Sequence, residues 1–186
     1  MRVHLRRPSV PAAVAVLAVG TAAAQDYHYT PLDLVSCDVV KRYEMGLGVD
    51  LRCDGFGGLD VFVSEGDARM DVDFGSRNED FQTFSAFNGV GGTVEWMRGD
   101  NGIEAATVRY LIDVDGRKAE ALVVSKVGTD AAPGCVMGVV NAASDQANGV
   151  ARGIGAMAPS FDCSTDQIVV LPGASDLVAD FSGARQ

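Results

Sequence analysis

Histidine is scarce in this chain, and its shortage excludes much. Of two histidines only His28 lies beyond the first 24 residues. A lone histidine near the N-terminus supplies no Ser-His-Asp triad, and Gly-x-Ser-x-Gly is absent too. No histidine lies near a cysteine in sequence, so a Cys-His nucleophile is not supported. Cys-x-x-Cys spacing is also missing, which removes the usual zinc pattern. Gly89-Val90-Gly91-Gly92 lacks the Gly-Lys-Ser/Thr ending of a phosphate loop and precedes a strand, so it reads as a flexible turn. No internal repeat, low-complexity linker or domain boundary is visible. Beyond the N-terminal region no apolar run is long enough to cross a bilayer.

What is present begins at the N-terminus. Arg2, Arg6 and Arg7 precede an apolar run from Val10 to Val19, and Ala22-Ala23-Ala24 follows just before Gln25-Asp26. This is the pattern of a secretory signal peptide with a small-residue cleavage site, expected over residues 1–24. The run is too short for a membrane span and is interrupted by Pro11 and Gly20. Pro8-Ser9-Val10 fits a twin-arginine signal poorly after Arg6-Arg7, so general secretion is the preferred route. Cys37 lies too far along to serve as a lipid-anchored N-terminal cysteine. The expected location is periplasmic or secreted.

Removal of the signal takes away three basic residues and no acidic one. It leaves a chain of about 162 residues, enough for one domain and one core. The formal charge of −10 for the whole chain becomes about −13, with 12 basic against 25 acidic residues. Such a surface repels nucleic acid and anionic headgroups and steers cationic partners. A small acidic domain can also carry such charge for solubility alone.

Four cysteines in an exported chain imply two disulfides, and four allow three pairings. The arrangement suggests Cys37–Cys53 and Cys135–Cys163, each closing a local loop. Each contributes on the order of 3 kcal/mol in the chain-entropy account.

The strand signals are period-two alternations. Tyr27 to Pro31 reads as an arm. Val49, Leu51 and Cys53 mark one strand, Leu59, Val61 and Val63 a second, and Met70, Val72 and Phe74 a third. Ser64-Glu65-Gly66-Asp67 reads as the turn between the last two, with positive φ expected at Gly66. Residues 75–92 read as a long polar loop carrying Phe81, Phe84 and Phe87. Asp115-Gly116 is a strong hairpin signal. It puts Val108, Tyr110, Ile112 and Val114 on one face with Ala119, Ala121 and Val123, and sets Asp113 opposite Lys118. A three-residue loop at Asp100-Asn101-Gly102 pairs Val94 with Val108, Trp96 with Ala106 and Arg98 with Glu104. Cys135–Val140 is a further strand. Ser144 is expected to cap a helix over 145–158, with Ala143, Ala147, Val150, Ile154 and Met157 inward. Its three glycines each cost about 1 kcal/mol. Ile168–Leu171 suggests a last strand before a loose tail.

Few constellations carry chemistry. Asp113-Val114-Asp115-Gly116 opens like a calcium loop, yet Arg117 stands where an oxygen donor is needed, so it reads as a turn. Asp71 and Asp73 share one strand face, expected to be solvent. With 25 acidic residues, sequence alone cannot select a glycosidase pair. Glu65, Asp67 and Arg69 put both charge signs at a hairpin tip and form the candidate recognition loop.

The order of Tyr29-Thr30-Pro31-Leu32-Asp33-Leu34, Cys53-Asp54-Gly55-Phe56-Gly57-Gly58, Ser64-Glu65-Gly66-Asp67-Ala68-Arg69 and Thr93-Val94-Glu95-Trp96 resembles a family of small exported alphaproteobacterial proteins. Arg109-Tyr110 and the stretch from Cys135 through Ala151-Arg152 to Phe161-Asp162-Cys163 extend the resemblance over nearly the whole mature chain. Leu51 departs from the tryptophan frequent there, which touches packing. The family is uncharacterised and implies export and fold, with no activity to transfer.

The expected fold is α+β: a curved antiparallel meander with one main C-terminal helix packed on it and two disulfides. Residues 25–172 form the domain and 173–186 the tail. The expected function is a non-catalytic exported binding module without cofactor, catalytic residues or metal ligands. Its partner is a basic protein or envelope component, with an inhibitor of a basic wall-degrading enzyme as one concrete version. The alternatives are a carboxylate-dependent hydrolase of envelope glycans and a small-molecule carrier.

Overall fold

A computed structural model describes residues 26–171 and 174–182. The expected signal peptide and the last residues of the expected tail lie outside the described residues. The chain begins with β1 (Asp26–Pro31) and then forms β2 (Asp38–Arg42), β3 (Gly48–Asp54), β4 (Asp60–Gly66) and β5 (Arg69–Phe74). Three long strands, β6 (Asn88–Gly99), β7 (Gly102–Val114) and β8 (Arg117–Lys126), and the shorter β9 (Cys135–Asn141) follow. Helix α1 (Ala147–Gly155), the short β10 (Val169–Val170) and α2 (Asp176–Ala179) complete the order.

These strands make two sheets where one was expected. The large sheet runs β1-β6-β7-β8-β9-β10 and the small one β2-β3-β4-β5. All pairs are antiparallel except β10, which lies parallel to β9. The reason for a second sheet is in the central strands. Ala121 to Val124 are buried on both faces of β8, so two covers are needed. On one face Val61, Val63, Val72 and Phe74 of the small sheet meet Val94, Trp96, Val108 and Tyr110 in a shared core. Phe74 packs edge-on against Trp96 at 5.4 Å. On the other face Met97, Leu122, Val124, Met137 and Val140 receive α1. Each large side chain buried this way contributes about 1.5–3 kcal/mol.

The meander follows its expected register in part. Val94 faces Val108 and Trp96 faces Ala106. Asp115 and Gly116 both hold positive φ (53° and 77°), as a type I′ turn requires. Lys118 reaches Asp113 at 3.5 Å. Arg98, however, faces Ile103, because Glu104 bulges out of β7. Its carboxylate accepts from the Asn101 backbone and side-chain N–H groups, both at 3.1 Å, and so closes a two-residue turn.

Other expectations are corrected. The arm is a true edge strand, β1, and Thr30 Oγ1 accepts the buried Trp96 indole N–H at 2.8 Å. The β4–β5 turn places positive φ on Asp67 and Ala68 (53° and 55°), with Glu65 accepting the Ala68 N–H at 3.0 Å; Gly66 is an ordinary strand end. Helix α1 is shorter than expected and Ser144 does not cap it. Ser144 is spent in a turn onto Asn141, and the chain enters the helix through Gln146 at φ 59°. Its inward face is Ala147, Ala151 and Ile154, continued by Ala158, while Met157 is exposed. Part of the expected loose tail is packed: Val178 and Phe181 are buried in the shared core. Of the aromatic patch only Phe84 is buried, between Tyr110 and Phe181; Phe81 and Phe87 stay exposed.

Both disulfides join the expected partners. Cys37–Cys53 ties the approach to β2 onto β3, and Cys135–Cys163 ties β9 to the segment after α1. Among the described residues no helix is long and apolar enough to cross a membrane.

Candidate functional site: an acidic cleft under a polar strap

The inner face of the small sheet is apolar, so alternation sends Asp50, Ser64, Asp71 and Asp73 to its outer face. Strand register then aligns them. Lys41, Asp50, Ser64 and Asp71 stand directly opposite one another across β2, β3, β4 and β5. Asp71 and Asp73 do share a face, as the sequence requires, but that face is not solvent. Asp50, Asp71 and Asp73 are only 4%, 5% and 6% exposed.

Residues 75–82 cover them as a strap. Gly75 (φ 76°) turns the chain back, and a Cβ there would sit 2.3 Å from the Gly128 carbonyl oxygen. Arg77 then reaches down with Nη1 3.0 Å from Asp50 and Nη2 donating to Ser64 Oγ at 2.9 Å. Asn78 donates to Asp73 twice, from its backbone at 3.2 Å and its side chain at 2.6 Å. The Gln82 backbone N–H donates to Asp71. Tyr43, from the other side, donates its hydroxyl to Asp50 at 3.2 Å.

The three buried acids are held in different protonation ranges. Burial opposes ionisation of Asp50, but Arg77 and the hydroxyls of Ser64 and Tyr43 outweigh it and hold the carboxyl below its usual range. Burial pushes Asp71 up to about 8, helped by the neighbouring Asp73 charge. Burial likewise raises Asp73 to about 7, with Asp80 adding to the effect.

These groups open into a cleft of about 1130 Å³. Asp50 and Asp71 line its depth, and Glu44, Glu65, Asp67, Glu79 and Asp80 line the rest. Lys41, Arg69 and Arg77 are its basic groups, and Met45, Leu47 and Phe81 give it an apolar lip. The candidate recognition residues Glu65, Asp67 and Arg69 all lie on this cleft, with Arg69 paired to Asp67 at 3.0 Å. The sequence did not single out Asp50, Arg77 or Tyr43. Asp50 is the polar member of the Val49-Leu51-Cys53 alternation, which gives its face but no sign that the face is covered.

The remaining sequence candidates lie elsewhere. His28 stacks on Phe56 and bonds Asp26, away from the cleft. Asp113-Val114-Asp115-Gly116 is a hairpin end. Among the described residues no group of three or more His, Cys, Asp and Glu could hold a metal ion.

Fold and site together define a disulfide-clasped, two-sheet protein with an acidic cleft on one outer face. No family model, curated protein or solved structure matches the chain.

Proposed function

We propose that the chain is an exported binding module whose cleft receives a cationic element of a partner protein. The observation that carries this reading is the excess of acidic groups around one concave surface: six carboxylates, with the protonated Asp71 beside them, against three basic side chains. The apolar lip of Met45, Leu47 and Phe81 suits the aliphatic stems of lysine and arginine. A basic wall-degrading enzyme such as lysozyme is a concrete partner. The test is calorimetry of the oxidised mature protein with lysozyme at low and high salt. Binding that weakens steeply as salt rises, and falls about tenfold or more in Glu65→Gln/Asp67→Asn, supports the reading. Absence of binding at micromolar protein at low salt sinks it, and binding without loss of lytic activity removes the inhibitor version.

A second reading, a glycan hydrolase, is favoured by the opposed protonation of Asp50 and Asp71. Their strands are two spacings apart, on the order of 10 Å, near the separation of an inverting pair. Arg77 bonds both Asp50 and the intervening Ser64, which weighs against an attacking water in that place. Reducing-end release from peptidoglycan that vanishes in Asp71→Asn would establish this reading over the first. The carrier alternative needs an apolar pocket between sheet and helix. Met137, Val124 and Ile154 fill that interface, which counts against it.

A further inference from the structure

The one acid of the cleft that is both buried and held ionised already has an occupant, and that occupant comes from the chain itself. Asp71 is protonated below about pH 8 and offers a cation little. Asp67 is paired with Arg69 at 3.0 Å, and Glu65 accepts the Ala68 N–H. Glu44, Glu79 and Asp80 stand at the exposed rim, where an ion pair is worth little. Asp50 is buried, held in its ionised form, and lines the cleft. It is a strong seat for one cation, and Arg77 sits in it.

The two sides of this pair are held differently. Asp50 is on β3, between β2 and β4, and its side chain is 5% exposed. Arg77 belongs to the strap, and its side chain is 39% exposed. The backbone on either side of Arg77 is fixed: the Ser76 N–H donates to the Phe74 carbonyl at 3.0 Å and the Asn78 N–H to Asp73 at 3.2 Å. The bonds to Asp50 and Ser64 are made by Nη1 and Nη2, at the tip of a long side chain. Rotation of that side chain therefore uncovers Asp50 while the strap stays in place. It leaves a carboxylate beside the Tyr43 and Ser64 hydroxyls, which is costly until another cation arrives. Lys41 stands opposite Asp50 on β2, but its ammonium lies over the Tyr43 ring at 4.2 Å. The replacement has a defined shape. It must reach a carboxylate and a hydroxyl at once, as Nη1 and Nη2 do at 3.0 and 2.9 Å. A guanidinium is a fork of that kind, and an ammonium is a point.

We propose that Arg77 is a stand-in for an arginine of the partner: it fills the Asp50–Ser64 seat in the free protein and gives it up to the partner's guanidinium. The inference rests on the cationic-partner reading and adds to it the residue recognised and a check on entry. Because it is tethered, Arg77 competes at an effective concentration on the order of millimolar. A lone arginine is kept out, while a surface that also engages the acidic rim displaces it.

The test is calorimetry of the oxidised mature protein with hexaarginine and hexalysine. Arg77→Ala should bind hexaarginine about tenfold more tightly than the parent does, and hexalysine no more than about threefold more tightly. Asp50→Asn in that background should remove the preference. Arg77→Gln keeps a neutral donor toward Asp50 and should show the same preference, which covers failure of the alanine variant to fold. In the parent saturated with hexaarginine, the NMR signal of the Arg77 Nε–H should move to the position of a free arginine side chain. The proposal is overturned if neither Arg77 variant gains affinity for hexaarginine, or if hexalysine gains as much. It is equally overturned if the preference survives Asp50→Asn, or if the Arg77 signal stays in place at saturation. These peptides do not depend on lysozyme, so failure of that partner and failure of the arginine seat are read separately.

Discussion

The two outer faces of this sandwich are covered in opposite ways. Over the large sheet lies a helix, and the contact is made by Ile154, Ala151, Met137 and Val124, with no buried acid in the cluster. Over the small sheet lies an irregular strap, and beneath it are three buried aspartates. Burial of apolar surface is favourable by itself. Burial of a carboxyl is costly unless it is paired or protonated. Here Arg77 pairs one aspartate, while burial raises the other two. The helix side is therefore built for stability, and the strap side holds groups that stability alone does not require. That contrast places the candidate site on the small sheet.

The contrast can be broken by moving a carboxylate from one face to the other. Ile154→Asp puts an unpaired acid under the helix and is expected to cost about 4 kcal/mol or more, read as loss of the urea transition. If the helix face accepts that acid as quietly as the strap face holds Asp71, the distinction fails. Next in size are the clasps. Cys135→Ser/Cys163→Ser opens the longer loop, 28 residues, and should lower stability by about 4 kcal/mol. Cys37→Ser/Cys53→Ser opens 16 and should cost about 3. A reversed order in denaturant midpoints would make the small sheet the more dependent on its clasp.

The strap side has its own pH signature. Asp71 and Asp73 hold protons in the fold that the unfolded chain, with carboxyls near ~4, releases. Their contribution is thus full below about pH 4 and is lost as pH rises toward the folded values of about 7 and 8. Stability should fall between pH 5 and 8. Asp50 and Glu95, both held low, act in the opposite direction and lose their contribution as pH falls below about 4. Asp71→Asn keeps the shape and removes the titration. It should gain several kcal/mol at pH 8, at most about 5, and little at pH 4, by thermal melts across pH. A variant that melts below the parent at pH 8 would mean the ionised form is the stable one. The smallest effect belongs to the exposed pair Asp113–Lys118, where Lys118→Ala should change stability by no more than about 0.5 kcal/mol. A larger loss would show that the hairpin end is not the solvated surface it is read to be.

What could be read in the sequence was what short-range rules decide. Asp115-Gly116 specifies its turn, and the turn fixes which residues of β7 and β8 share a face. The cysteine pairs close local loops, so their partners follow from order. What escaped depends on distant partners. β1 becomes a strand because it pairs with β6, far along the chain. The tail packs because Phe181 finds Phe84. The site was half legible: Glu65, Asp67 and Arg69 were visible as a charged tip, and Asp71 and Asp73 as one face. Alternation says that two residues point the same way, but it cannot say what covers them. The strap is polar and glycine-bearing, so it reads as a loop, and only its tertiary contacts make it a roof.

The root of that strap is fastened to residues that come almost a hundred positions later. Thr83 accepts the Ser182 N–H at 2.8 Å, its own N–H donates to the Ser182 hydroxyl at 2.8 Å, and Phe84 bridges to Phe181. The roof of the cleft therefore depends on a segment that lies after every long strand of both sheets. Asn78 and Gln82 hold the two acids directly, and the Thr83–Ser182 bonds hold the end of the segment that carries them. Truncation before Phe181 is thus expected to loosen the roof over Asp71 and Asp73 and to bring both carboxyls back toward the ordinary carboxylate range.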